Sequence, residues 1–182
     1  YKAPELTDEV IDENGWFHTG DIGTLVDDKY LKITDRKKEI FKLSGGKYIA
    51  PQMIENKLKM SNMIEQVMVI GANEKFASAL ISPNFPFLHD WAAEHKLHYE
   101  DNKALIQLPE VSSLIQKEVA QINKTLGSHE QINRIRLVCE EWSPASGELS
   151  PTLKLRRNMV AVKYQHLIDD IYSVSKQNEV AL

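Results

Sequence analysis

Cysteine is nearly absent from this 182-residue chain. Cys139 stands alone, so no internal disulfide can form, and a reducing compartment is the natural expectation. Within "IRLVCEEW" the alternation places Cys139 at a buried strand position rather than at a nucleophile. Long apolar runs are missing too. No stretch approaches the ~18 residues of a spanning helix, and no charged-then-apolar signal segment opens the chain. An excess of positive charge is also lacking: 22 Lys and Arg against 26 Asp and Glu give a net charge of −4, which argues against bulk nucleic-acid binding. The expectation is a cytoplasmic protein. No His/Cys cluster has metal-ligand spacing, so no metal site made by this chain alone is expected. There is no phosphate-binding P-loop either: in "SGGK" the motif would need glycine where Phe41 stands and Ser or Thr where Tyr48 stands.

What is present is an ordinary globular composition, 42% apolar and 26% charged, in a chain long enough to bury roughly 70% of its unfolded surface. Its opening, "YKAPELTDEVIDENGWFHTGD", is polar and loop-like without an initial methionine, from which we expect a chain cut from a longer one. "WFHTGDIGTLV", the Asp27-Asp28-Lys29 turn and "YLKIT" form a hairpin with nothing to pack against. "EIFKL", the Gly45-Gly46 turn and "KYIA" form a second hairpin. Pro51 then opens a helix, and strands "EQVMVIG" and "ASALISP" follow, giving the pattern ββαββ.

Helices are expected over about 85–95 and 109–126. In the second, Val111, Leu114, Ile115, Val119, Ile122 and Leu126 share one face and Gly127 is the stop. "RIRLV" reads as a last strand. A closing helix over about 158–174 turns Val160, Tyr164, Leu167, Ile168 and Ile171 inward. The fold class is α+β, a small mixed sheet and hairpins flanked by helices. We place residues 36–182 in one domain, folded to about residue 178, and 1–35 in a hairpin orphaned from another.

Three stretches carry chemistry. In "HTGDIG", Asp21 sits between glycines at a backbone bend, where its two oxygens suit adjacent hydroxyls such as those of ribose; an Asx-type turn is the plainer reading. "TDRKKEIFKLSGGKYIAP" strings cations along a hairpin whose alternation keeps them from all serving one site. In "GELSPTLKLRR", Pro151 fixes φ near −65° just before Lys154, Arg156 and Arg157, which positions a charge rather than merely displaying it.

Together these motifs resemble, in order and spacing, the C-terminal part of adenylate-forming enzymes, the superfamily of acyl-CoA synthetases, luciferases and peptide-synthetase adenylation domains. "PTLKLRR", with the helical insert before it, looks most like the long-chain fatty-acid:CoA ligases. One departure is Leu153, where the family pattern usually has glycine. The resemblance implies a tail of the large AMP-binding domain over residues 1–35 and a mobile C-terminal domain over 36–182. It further implies two half-reactions, acyl-adenylate formation from ATP and then thioester formation with CoA. Lys154 matches the catalytic lysine of adenylation, Asp21 and Arg36 match nucleotide contacts, Lys38 the hinge, and Gly45 and Gly46 the turn lining the CoA tunnel. ATP or AMP, CoA and Mg²⁺ are the implied ligands, with the Mg²⁺ site, the phosphate loop and the acyl pocket expected upstream. The implied partners are that upstream domain and the substrates ATP, fatty acid and CoA, with peripheral membrane contact left to the intact enzyme. The fragment alone is then expected to be inactive. Two other readings stay open: a non-catalytic module binding nucleotide or CoA, and an adenylation domain serving a carrier protein.

Overall fold

Apolar alternation and helical stripes sort residues 36–177 around two adjoining cores. A computed structural model describes residues 2–177. Strand β5 (Ile64–Ile70) pairs antiparallel with β6 (Ala77–Pro83), and β6 pairs parallel with β7 (Ile132–Leu137), giving the order β5-β6-β7. All seven residues of β6 are buried, as a central strand covered on both faces requires. One core joins Ile54 and Leu58 of α2 (Pro51–Leu58) to Val67, Ala79 and Ile81. It extends to Phe85 and Leu88 of α3 (Phe85–Glu94) and to Val111 and Ile115 of α5 (Pro109–Asn123). On the other side, Met68 and Leu80 pack with Trp142, Leu149, Val160 and Ile171.

The expected ββαββ run is present: β3 (Phe41–Lys42), β4 (Tyr48–Ile49), α2, β5 and β6. The stripe of α5 faces the core as expected, but the helix ends at Asn123 rather than at Gly127. Asn123 itself is the reason for an early end: its side-chain amide both donates to the carbonyl of Ile132 and accepts from its N–H, tying the helix end to the start of β7. A short helix, α4 (Asn102–Gln107), capped by the Asp101 side chain, adds to the expected set. The closing helix is two, α6 (Arg157–Lys163) and α7 (Gln165–Gln177), broken at Tyr164. Its apolar face is nonetheless inward, with Val160, Tyr164 and Ile171 buried.

Cys139 corrects an expectation. It lies beyond the end of β7 and is half-buried, because the strand ends at Leu137 and Val138 takes the inward position.

The opening segment holds α1 (Pro4–Val10) and a hairpin of β1 (Asp21–Val26) and β2 (Tyr30–Arg36). The helix replaces part of the expected loop, and β1 starts five residues later than Trp16, because Gly20 turns the chain with φ at +75°. Trp16, Phe17, Leu25, Leu31 and Ile33 of this segment remain exposed. Hydrogen bonding ties it to the body at Asp35, whose buried carboxylate accepts the Gln52 N–H at 3.1 Å at the start of α2.

Candidate functional site

Asp21 opens β1 and Arg36 closes β2, and the antiparallel register sets them opposite each other. Arg36 Nε donates to Asp21 Oδ1 at 3.0 Å. The turn before β1 is satisfied by Thr19, whose hydroxyl accepts the Asp21 N–H at 3.1 Å, so the Asp21 carboxylate is not spent on an Asx turn. One of its oxygens pairs with Arg36, leaving the other for a ligand hydroxyl.

Lys154 stands in the tight turn between Leu149 and Leu155, which meet in an antiparallel bridge. Ser150 holds both ends of this turn: its N–H donates to the Lys154 carbonyl at 2.8 Å, and its hydroxyl accepts the Lys154 N–H at 3.1 Å. Leu153 takes φ of +59°, a left-handed conformation that a residue with a Cβ adopts only under strain. Among the described residues the exposed Lys154 side chain makes no ion pair. The turn thus presents a single free ammonium.

Asp21, Arg36 and Lys154 line one cleft of about 440 Å³, although they come from opposite ends of the sequence. Leu153 and Ile33 supply its apolar wall, and Gln52, Asn56 and Gln66 add neutral polar groups. Lys59 and the Arg157–Glu39–Glu55 cluster, whose charges pair with one another, also line the cleft, while Asp21 with Arg36 and Lys154 offers partners for vicinal hydroxyls and an anionic group, as a nucleotide carries.

The other two cations of "KLRR" take protein partners, although Arg156 is exposed. Arg156 turns back toward the Gly147 carbonyl at 3.3 Å. Arg157 is half-buried and pairs with Glu39 at 2.8 Å and Glu55 at 2.6 Å. Sequence reasoning groups Arg157 with Lys154 and passes over both glutamates, since nothing in local spacing joins α2, the turn after β2 and the start of α6. Burial pushes the Glu55 carboxyl up to about 7, against the pull of Arg157 and of the Val69 N–H. Glu39 is also partly desolvated, but hydrogen bonds from Arg157 and Gln52 hold it below the usual carboxylate range.

A second group hidden from sequence spacing secures the other end of α6. Lys163 pairs with Glu140 at 2.6 Å and with the buried Glu148 at 2.7 Å. Tyr164 donates to Glu140 at 2.6 Å, and burial, followed by that bond, pushes its phenol up to about 12.

Lys38 and the two glycines lie away from the cleft lining. Lys38 is exposed in the turn after β2, 3.8 Å from Glu9 of α1. Gly45 and Gly46 make the β3–β4 turn as expected, with Gly46 at φ +85° and its N–H on the Leu43 carbonyl. Among the described residues no group of three or more His, Cys, Asp or Glu is placed to hold a metal ion. No described helix is long and apolar enough to cross a membrane.

Comparison with known proteins gives this geometry a family. Residues 38–176 match the AMP-binding enzyme C-terminal domain. Long-chain-fatty-acid–CoA ligase 1 of Cavia porcellus is 38% identical over 179 residues, covering 96% of this chain but 25% of its own length. The adenylation domain of a carboxylate reductase from Mycobacterium chelonae superposes with a TM-score of 0.76 at 28% identity, covering 95% of this chain and 25% of that one. The corresponding domain from Segniliparus rugosus, solved with AMP and a co-purified carboxylic acid, gives 0.74 at 27% identity over 95% of this chain and 26% of that one. The chain therefore spans about a quarter of the length of the relatives it matches, and by that family match it belongs to the C-terminal domains of AMP-binding, adenylate-forming enzymes.

Proposed function

We propose that this chain is the C-terminal portion of an AMP-forming long-chain fatty-acid:CoA ligase, and that Lys154 acts in formation of the acyl-adenylate. The observation that carries the reading is the convergence of Asp21, Arg36 and Lys154 on one cleft. Asp21 would take the ribose hydroxyls, Arg36 would orient Asp21 and face the nucleotide, and the Lys154 ammonium would meet the carboxylate and α-phosphate oxygens, where negative charge shifts in the transition state. Residues 1–35 belong, in this reading, to the end of the large AMP-binding domain, and 36–182 form the mobile domain. Lys38 would be the hinge between half-reactions, because the turn at 36–40 joins the hairpin to the body. A swing about it would bring Gly45 and Gly46 to the CoA tunnel. ATP, a fatty acid and CoA are the substrates, Mg²⁺ is held by the upstream domain, and the fragment alone is inactive. The working compartment is cytoplasmic, with any membrane contact made by the upstream part.

The acceptor could instead be a carrier protein, a reading favoured by the superposition on the adenylation–carrier didomain of the Segniliparus rugosus carboxylic acid reductase, with a TM-score of 0.76. Turnover with CoA separates the two. In the intact enzyme, Lys154→Ala should lower ATP-pyrophosphate exchange by ~10²–10³ while leaving thioester formation from supplied acyl-adenylate within a few-fold. Equal losses in both assays would make Lys154 structural.

A further inference from the structure

The Lys154 turn carries strain at Leu153 and anchors its own ammonium to nothing among the described residues, so its aim depends on what holds the turn. Arg157, the first residue of α6, stands two positions beyond Leu155, where the turn ends. The Arg157 guanidinium reaches three separate elements. Nε donates to Glu39 Oε2 at 2.8 Å, Nη2 to Glu55 Oε2 at 2.6 Å, and Nη1 to the Val69 carbonyl at 3.4 Å.

Each partner is fixed in turn. Glu39 directly follows Lys38 and also accepts from Gln52 Nε2 at 2.8 Å. Glu55 is buried on α2, and its second oxygen accepts the Val69 N–H at 2.7 Å. Val69 lies on the outer edge of the sheet, where no further strand pairs with β5 among the described residues. The Arg157–Glu55 pair therefore takes both hydrogen-bonding groups of Val69, as a neighbouring strand would. These same side chains, Glu39, Gln52, Glu55 and Arg157, form part of the wall of the cleft that Lys154 lines. A planar fork with three fixed receptors sets direction as well as distance, which a lysine in its place would not do.

We propose that Arg157 is a positioning residue for Lys154: by clamping the end of the turn to the sheet edge and to the residue after the hinge, it sets where the ammonium enters the cleft. This rests on Lys154 being the adenylation lysine. Three of the five guanidinium N–H groups of Arg157 are spent on protein partners, and in this proposal it acts through Lys154.

The test is a double-mutant cycle in the intact enzyme, with Arg157→Lys, Lys154→Ala and the pair, each assayed for ATP-pyrophosphate exchange and for thioester formation from supplied acyl-adenylate. Arg157→Lys should lower exchange by ~10²-fold, the scale of a catalytic group displaced by about an ångström, and leave thioester formation within a few-fold. In the Lys154→Ala background the same substitution should change exchange little. Glu39→Gln leaves Arg157 its pairing with Glu55 and should lower exchange ~10-fold in the same half-reaction alone. If Arg157→Lys costs the same factor with and without Lys154, or lowers both half-reactions together with the melting temperature, the inference is overturned. Normal exchange in a folded Glu39→Gln enzyme overturns it as well. A Lys154→Ala enzyme that loses both half-reactions equally would instead sink the underlying reading of Lys154, which the single variant reports independently of the cycle.

Discussion

Leu153 shows how one position departs from its surroundings. Its φ of +59° costs roughly 1–2 kcal/mol for a residue bearing a Cβ, and its side chain is largely exposed, so packing returns little of that. Leu153→Gly removes the strain but adds freedom to the unfolded chain, a cost of roughly 0.5–1 kcal/mol. The expected result is a gain of about 0.5 kcal/mol, read as a higher urea midpoint at unchanged slope. Leu153→Val, β-branched at the same φ, should move the midpoint the other way. Asp21 and Arg36 illustrate a different balance. Their ion pair is part-exposed and contributes about 0–1 kcal/mol at most, so its value is in orienting the carboxylate rather than in holding the hairpin.

Between elements, the junction of α2, β5 and α6 concentrates buried charge. Glu55 sits at its centre with a pKa of about 7 against an ordinary value of 4.5, burial being the first cause. For an acid whose folded pKa is raised, the stabilising contribution is complete below the unfolded value and is lost as pH rises through the folded one. Glu39, Glu140 and Glu148 act in the opposite sense. Burial is the largest influence on Glu39 and Glu148 and raises both, but hydrogen bonds from Arg157 and Gln52 to Glu39 and from Lys163 to Glu148 outweigh it; in Glu140 the hydrogen bonds from Lys163 and Tyr164 come first and exceed burial, so all three lie below 4.5. Their contribution is lost as pH falls through the acid range. Stability should therefore peak near pH ~5 and decline from there toward pH ~8. Glu55→Gln, which keeps an acceptor for the Val69 N–H, should flatten that decline in urea titrations run at a series of pH values, without altering the fall on the acid side. An unchanged slope between pH ~5 and ~8 would mean that burial does not govern Glu55.

At the scale of the whole molecule, the hairpin of β1 and β2 stands apart from the three-stranded sheet. Two strands with Leu25, Leu31 and Ile33 in water are marginal by themselves, because a lone hairpin lacks a second apolar layer. The buried core lies almost entirely in the residues that follow it. Amide exchange on this chain should be fast across residues 16–31 and slow across β5 and β6. Strong protection of the hairpin in a monomer would show that our division at residues 35 and 36 is misplaced.

Periodicity in the sequence carried the core elements because their apolar residues are close neighbours along the chain. The stripe of α5, the buried run of β6 and the inward face of α6 and α7 all depend on spacing over one to three turns or strands. Asp21 and Lys154 stand in local motifs marked by glycine, proline or charge pattern, whereas Arg36 was singled out through the resemblance, which also suggested the roles of all three. Bringing them into one cleft required the register of β1 on β2 and the placement of α6 on the sheet edge, neither of which any short stretch encodes. Arg157 is the clearest case. In "KLRR" it is one cation among three, and only the fold, by bringing Glu39 and Glu55 within 2.8 Å of a guanidinium more than a hundred positions away, turns it from a displayed charge into a clamp. The break at Tyr164 and the partial exposure of Cys139 were decided the same way, because burial and buried pairing are properties of neighbours in space, and sequence order alone does not choose them.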